Sequence, residues 1–252
     1  TPSATLGGNI EGSADGGVLV SVRNLLRKLL GRPPARARRS PTGRAGLGLR
    51  AGLTVPGLFA ALHQRQASYV VLRWFEGLPH GNPDGDIDLL IADRDVAAIA
   101  DLFEHDPKAV QVDLFSVSGL PGTTYYGMPY LPPAKAAEVL TSAVLFEDTC
   151  MVPGPEAHFL SLAYHTIYQK GQRSGLATSA AGVTSNPAPK HDYAGTLSTL
   201  AKAAGINVAI TLEALDDYLG QRGWRPAPDV LANLAQNNKW LAAHLGRTAT
   251  QA

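Results

Sequence analysis

Apolar and polar positions alternate in two different rhythms along this chain, and the change of rhythm divides it. Residues 56–66, "PGLFAALHQRQ", carry apolar residues at helical spacing with a proline in the first turn, which predicts a helix. "YVVLRWF" (69–75) is β-branched and aromatic and predicts a strand. "DIDLLIA" (86–92) and "AVQVDLFSV" (109–117) predict two more, with a helix over 93–106 that Asp93 is placed to cap. From residue 155 the helical period takes over. In "PEAHFLSLAYHTIYQKG" (155–171), Phe159, Leu162, Ala163 and Ile167 form one stripe and Gly171 a stop. Three further helices are expected over 190–206, 211–223 and 227–246, and no internal repeat is visible.

The fold class that follows is α+β: a small mixed sheet with helices over residues 54–150, then a mainly helical domain over 151–252. Residues 1–53 form a basic, flexible arm. Residues 1–16 are rich in Gly, Ser, Thr and Ala and are expected to be disordered. Leu19, Val22, Leu26, Leu29 and Leu30 then outline a short amphipathic helix ending at Gly31, and a Gly- and Pro-containing linker covers 32–53.

Charge sharpens that division. Residues 1–50 hold nine Lys and Arg against two acidic residues (9 − 2 = +7), while the rest hold 13 against 19 (−6). The arm's amphipathic helix can pack on the body or a partner, or touch an anionic membrane surface from the inner side, and the basic arm can instead bind RNA or DNA, though no aromatic residue interleaves its arginines. The acidic body is a poor match for long nucleic acid. No apolar run reaches the roughly 20 residues that span a bilayer, and no signal-peptide pattern opens the chain. The single cysteine, Cys150, forms no internal disulfide, which makes a reducing, cytoplasmic setting the expectation. Its neighbours offer nothing to activate a thiolate, so a buried structural thiol is expected.

The chemistry concentrates in the strands. Side chains alternate along a strand, so Asp86 and Asp88 share one face while Ile87 takes the other. Asp113 sits inside the apolar run "VQVDLF". If the two strands are neighbours, the three carboxylates meet and form a hard oxygen site suited to Mg2+ or Mn2+. The plainer alternative has Asp86 capping a loop, Asp88 paired with Arg73, and Asp113 facing water on an edge strand.

"DGDIDLLI", a helix and then "VQVDLF" resemble the nucleotidyltransferase fold of the DNA polymerase beta superfamily, over residues 54–117. The resemblance implies Asp86, Asp88 and Asp113 as metal ligands, with Asp113 as base toward an attacking hydroxyl. It implies an NTP such as ATP as donor and a small molecule or glycan as acceptor. A helical domain after the sheet also suits that superfamily. The sequence departs from it at the Gly-Ser that usually precedes the first aspartate by about twelve residues: those places fall on Trp74 and Phe75. Bulky aromatics keep a phosphate away from backbone amides. Arg73, His80 and the backbone of Gly81–Asn82 are candidate replacements.

A second group lies where the helix 155–171 ends. Tyr164, His165 and Tyr168 precede Lys170, Arg173 and Ser174 beside a glycine-containing loop. These cations can clamp a polyphosphate or cap the helix end. His191 and Asp192 can cap the following helix or line a cleft. Trp224, Trp240 and Leu241 are expected in the helical core. Two other functions fit parts of the pattern. One is a sugar transferase with an Asp-x-Asp metal motif, though such motifs usually follow the apolar strand instead of opening it. The other is a nucleotidyltransferase-like binding module without catalysis.

Overall fold

The computed structural model describes residues 47–80, 85–106, 109–125, 127–180, 182 and 188–251. The amphipathic segment at 19–30 lies outside them. The strands of the main sheet are β1 (Leu47–Leu49), β2 (Tyr69–Val71), β3 (Asp86–Ile91), β4 (Phe103–Glu104) and β5 (Gln111–Ser116), in the order β2-β3-β5-β1-β4. β2 runs antiparallel to β3, β3 parallel to β5, and β1 antiparallel to both β5 and β4. A separate hairpin joins β6 (Ala143–Phe146) to β7 (Cys150–Pro153). The helices are α1 (Val55–Gln64), α2 (Val96–Ile99), α3 (Pro133–Thr141), α4 (Pro155–Tyr164), α5 (Tyr193–Ala203), α6 (Leu212–Gln221), α7 (Pro228–Ala235) and α8 (Lys239–Gln251). The architecture is α+β.

Side-chain parity gives the sheet two faces. Ile87, Leu89, Ile91, Val112 and Leu114 pack with Leu58, Phe59 and Leu62 of α1 and with Ile99 of α2. Leu90 and Phe115 point the other way, into a second core with Phe159, Tyr164, Ile167, Leu197 and Leu215 from the helices. The sheet and the helical unit therefore share one core. By the same parity, Asp86, Asp88 and Asp113 lie on the face turned toward the helical unit.

Several elements differ from the sequence reading, each for a local reason. Residues 47–49, read as linker, form a strand within the sheet. Leu47 and Leu49 are buried, and a Cβ on Gly48 would come within 2.7 Å of the Ala109 Cβ. The expected strand 69–75 stops at Val71, and Trp74 adopts a left-handed backbone (φ +57°). The helix expected over 93–106 is broken into 3-10 turns around α2, with Phe103–Glu104 taken by the sheet. Asp93 does not cap it. Its carboxylate accepts from the Ser118 amide at 3.0 Å, and Asp95 accepts from that of Ser68 at 2.9 Å.

The expected helix 227–246 is two helices, parted at Asn238. The buried Asn238 amide donates to the carbonyls of Ile167 (2.7 Å) and Tyr168 (3.2 Å), and its Oδ1 accepts from the Leu241 amide (3.1 Å). It thereby caps α8 and satisfies backbone of the π-helical turn His165–Lys170 that follows α4. Gly171, left-handed at φ +54°, ends that turn where a Cβ would strike the Asn238 side chain.

Candidate functional site

β3 and β5 lie side by side in parallel, and their register sets Asp88 directly opposite Asp113. Both are buried, at 5% and 9% exposure, and Asp86 stands exposed on the same face where β3 begins. β5 is an inner strand, so Asp113 does not sit on an edge.

The Asp88 carboxylate pairs with the Arg73 guanidinium, and both side chains are withdrawn from water. Arg73 leaves β2 at the point where Leu72 still donates to the Asp88 carbonyl at 2.9 Å. Its other terminal nitrogen, Nη1, donates to the Tyr130 hydroxyl at 2.9 Å. Burial alone would lower its pKa, but the charge of Asp88, with Tyr130, Tyr193 and Asp113, holds it above the ordinary value. Among the described residues, no three His, Cys, Asp or Glu side chains stand together as a ready metal cage. The donor set itself is oxygen-only and anionic, which fits a hard divalent ion. One of its oxygens is already engaged by Arg73.

A buried polar chain runs from this pair into the helices. Tyr130, stacked on Phe115 at 4.0 Å, is 2.6 Å from His165 Nδ1. The phenol that accepts from Arg73 thus also meets Nδ1 of His165, and Nε2 of the same ring faces the Tyr193 oxygen at 3.5 Å. Trp74 stacks on His191 at 4.2 Å and meets Tyr193 edge-on. The strained backbone of a bulky residue next to Arg73 costs about 1 kcal/mol or more, and this aromatic packing holds it. His158, also buried, packs against Phe75; burial and the Arg73 charge press its pKa down to about 4.

The remaining candidates fall elsewhere. Arg173 donates to the Gln169 carbonyl at 2.7 Å, closing the helix end, and Ser174 is buried with its hydroxyl on the Gly171 carbonyl. Lys170 is half-buried on the same turn. His80 is exposed beside residues 81–84, which are outside the described set. Tyr168 reaches Asp216 at 2.5 Å, away from the Tyr130–His165 chain. Asp192 caps α5 by accepting from the Gly195 amide at 2.8 Å. Cys150 is fully buried, and its thiol is pushed up to about 12 by burial. Trp224, Trp240 and Leu241 are core residues.

Two participants were not foreseen. Tyr130 lies in a Gly- and Pro-rich stretch without periodicity, and its only signal was that a buried arginine needs more than one acceptor. His158 carried no motif at all. A cleft of about 870 Å3 also opens between α3, the start of α4 and the turn after α6, lined by Lys135, Glu138, Arg222 and Trp224. The three aspartates are not among its walls. No family model, curated protein or solved structure matches this chain.

Proposed function

We propose that this chain is a metal-dependent nucleotidyltransferase. It moves a nucleotidyl (or phosphoryl) group from an NTP to a hydroxyl of a small molecule or glycan. The observation that carries the reading is the register: Asp88 and Asp113 face each other across two parallel strands, with Asp86 on the same face at the mouth. Facing carboxylates repel each other, and a divalent ion between them would offset that repulsion. Asp86, Asp88 and Asp113 would hold Mg2+ or Mn2+. The ion would supply charge neutralisation for the polyphosphate and for the oxygens that attack and leave. Asp113 accepts the acceptor's hydroxyl proton as the new oxygen–phosphorus bond forms and the bond to pyrophosphate breaks. Arg73, beside Asp88, is a cationic group that could meet the polyphosphate. Trp74 stands where the resemblance expects glycine, and its backbone keeps the left-handed form that glycine favours.

A second reading, a binding module without catalysis, is favoured by the Arg73–Asp88 pair. Calorimetric titration with Mg2+ and each of the four NTPs separates the two. It is followed by pyrophosphate release over a panel of sugar and glycan acceptors. The expected outcome is metal-dependent binding of at least one NTP. Turnover should fall by about 10²- to 10⁴-fold in Asp113→Asn, the scale of a lost general base. Failure of every NTP to bind in a metal-dependent way would leave only the module.

A further inference from the structure

The hairpin of β6 and β7 leaves one strand edge open. Among the described residues β6 pairs with β7 and with no other strand. Opposite Leu145, the Met151 amide donates away from β6, to the Tyr69 hydroxyl at 3.4 Å. One place on, the Phe146 carbonyl closes the turn by accepting from the Thr149 amide at 2.8 Å. Antiparallel ladder bonds alternate from pair to pair, so the amide and carbonyl of Leu145 face outward, away from β7. Val144 and Leu145 are 46% and 52% exposed, and β6 carries none of the charges or prolines that guard a strand edge. Outward backbone donors and acceptors between apolar side chains are complementary to another extended apolar chain.

The cleft beside α3 adjoins this edge. Ser142, just before β6, and Gly154, just after β7, both line it, together with the buried Val139, Leu160 and Trp224. Leu145 is three residues from Ser142, about 10 Å along a strand. Lys135 in the cleft is neutralised by Glu138 at 2.8 Å. Glu156 sits in the first turn of α4, where the helix dipole favours a carboxylate. Arg222 has no such balance. Its guanidinium lies over the Tyr218 ring, 4.0 Å from the centroid, and among the described residues it has no carboxylate partner. Stacking fixes the plane of the guanidinium and leaves its donor fork open to a carboxylate.

We propose that the β6 edge and this cleft together bind the C-terminal tail of a partner protein. An extended apolar segment of the tail pairs with β6, and its terminal carboxylate meets Arg222. A tail of about five residues, roughly 16 Å when extended, covers both parts. The surface is separate from the three aspartates, which are not among the walls of the cleft, and it stands whatever their role.

The test is calorimetric titration of the full chain with the peptide Val-Thr-Val-Thr-Val, as free acid and as C-terminal amide. Both carry an N-terminal acetyl cap in place of the rest of the partner chain. The acid should bind about tenfold more tightly than the amide, because the amide gives Arg222 no charge to meet. Arg222→Gln should bind both forms alike, at the level of the amide. Methylating the nitrogens along one edge of the peptide should weaken its binding to wild type about tenfold, since strand pairing uses them. Val144→Lys, at an exposed position outside the core, should do the same. Equal affinity of wild type for acid and amide, or indifference to methylation, overturns the proposal. So does the absence of binding at millimolar peptide. Self-association of wild type that Val144→Lys abolishes also overturns it, because a second copy of the chain would then cover the edge.

Discussion

Two buried aspartates in this chain are each gripped by an arginine, and they differ in what else surrounds them. Asp216, on α6 and 1% exposed, accepts from Nε and Nη2 of Arg225, from the Tyr168 hydroxyl at 2.5 Å, and from His244 Nε2 at 3.1 Å. Its donors come from the π-helical turn, from the segment after α6 and from α8. One carboxylate is enclosed by three side chains that tie the helical unit together. Asp88 instead shares the field of Arg73 with Asp113 directly across from it. At Asp216 donors surround a single negative charge; on the sheet face negative charges crowd around a single guanidinium. The first arrangement is what a fold needs. The second sets two buried carboxylates face to face beside one guanidinium, and the proposed ligand reading rests on that pairing.

Removing Asp216 tests the structural half of this contrast and carries the largest expected effect. Asp216→Ala strands the Tyr168 hydroxyl in the core and leaves Arg225 and His244 without their acceptor. Arg225 is 44% exposed and can rehydrate, so the cost falls at the lower end of that for a broken buried ion pair, about 3 kcal/mol. Urea unfolding at pH 7 measures it. A loss well under 1 kcal/mol would mean that the hub does not bind the helices together and that the comparison fails at its firmer end.

His158 reports on the other half through pH. Its folded pKa of about 4 lies below the ordinary 6.5 because the ring is buried and faces the charge of Arg73. Above pH 6.5 the ring is neutral in both folded and unfolded chains and makes no difference. As pH falls below 6.5 the unfolded chain takes up the proton first, so stability is lost progressively down to about pH 4 and is constant beyond. At pH 5 the loss is about 2 kcal/mol. Other groups titrate in that window, so the measurement is the difference between wild type and His158→Phe in urea midpoints at pH 7 and pH 5. The variant should lose less on acidification. An equal loss in both would show that His158 is not held neutral beside Arg73.

How far these two centres were legible in the sequence follows from the range of the forces that build them. The strand parity of Asp86 and Asp88 is local and was readable. That β3 and β5 are neighbours in parallel, with Asp113 opposite Asp88, was a topological guess that the sheet supplied. The Arg73–Asp88 pair was visible only as an alternative, since nothing local decides which acceptor an arginine finds. Tyr130 and Asp216 lay beyond reach because they gather partners scattered along the chain, Tyr130 from Arg73, 57 residues back, and Asp216 from Tyr168, 48 back, as well as from Arg225 and His244. Turn chemistry hid β6 and β7. Glu147 and Asp148 both adopt left-handed backbone in the hairpin turn, where Asn-Gly would have announced it. Helical period hid the break at Asn238, whose role is to bond the carbonyls of a distant turn. The strand Leu47–Leu49 was too short for alternation to show, and its glycine serves close packing.

The smallest expected change in stability comes from Asp113→Asn, and it separates the two centres most sharply. Asp113 faces Asp88 at one register position in a buried part of the sheet and also acts on the Arg73 guanidinium, so neutralising it removes a repulsion and an attraction together. An asparagine keeps the shape and one carbonyl acceptor. The unfolding free energy from urea titration should therefore change by no more than about 1 kcal/mol. On the metal reading proposed above, Mn2+ binding should be lost in the same protein. Asp216→Ala should show the reverse: a weakened fold whose remaining folded fraction keeps its Mn2+ affinity. An Asp113→Asn protein destabilised as much as Asp216→Ala would place Asp113 among the residues that hold the fold. The excess of negative charge on the sheet face would then be a structural pairing like the one around Asp216, with no ligand to explain.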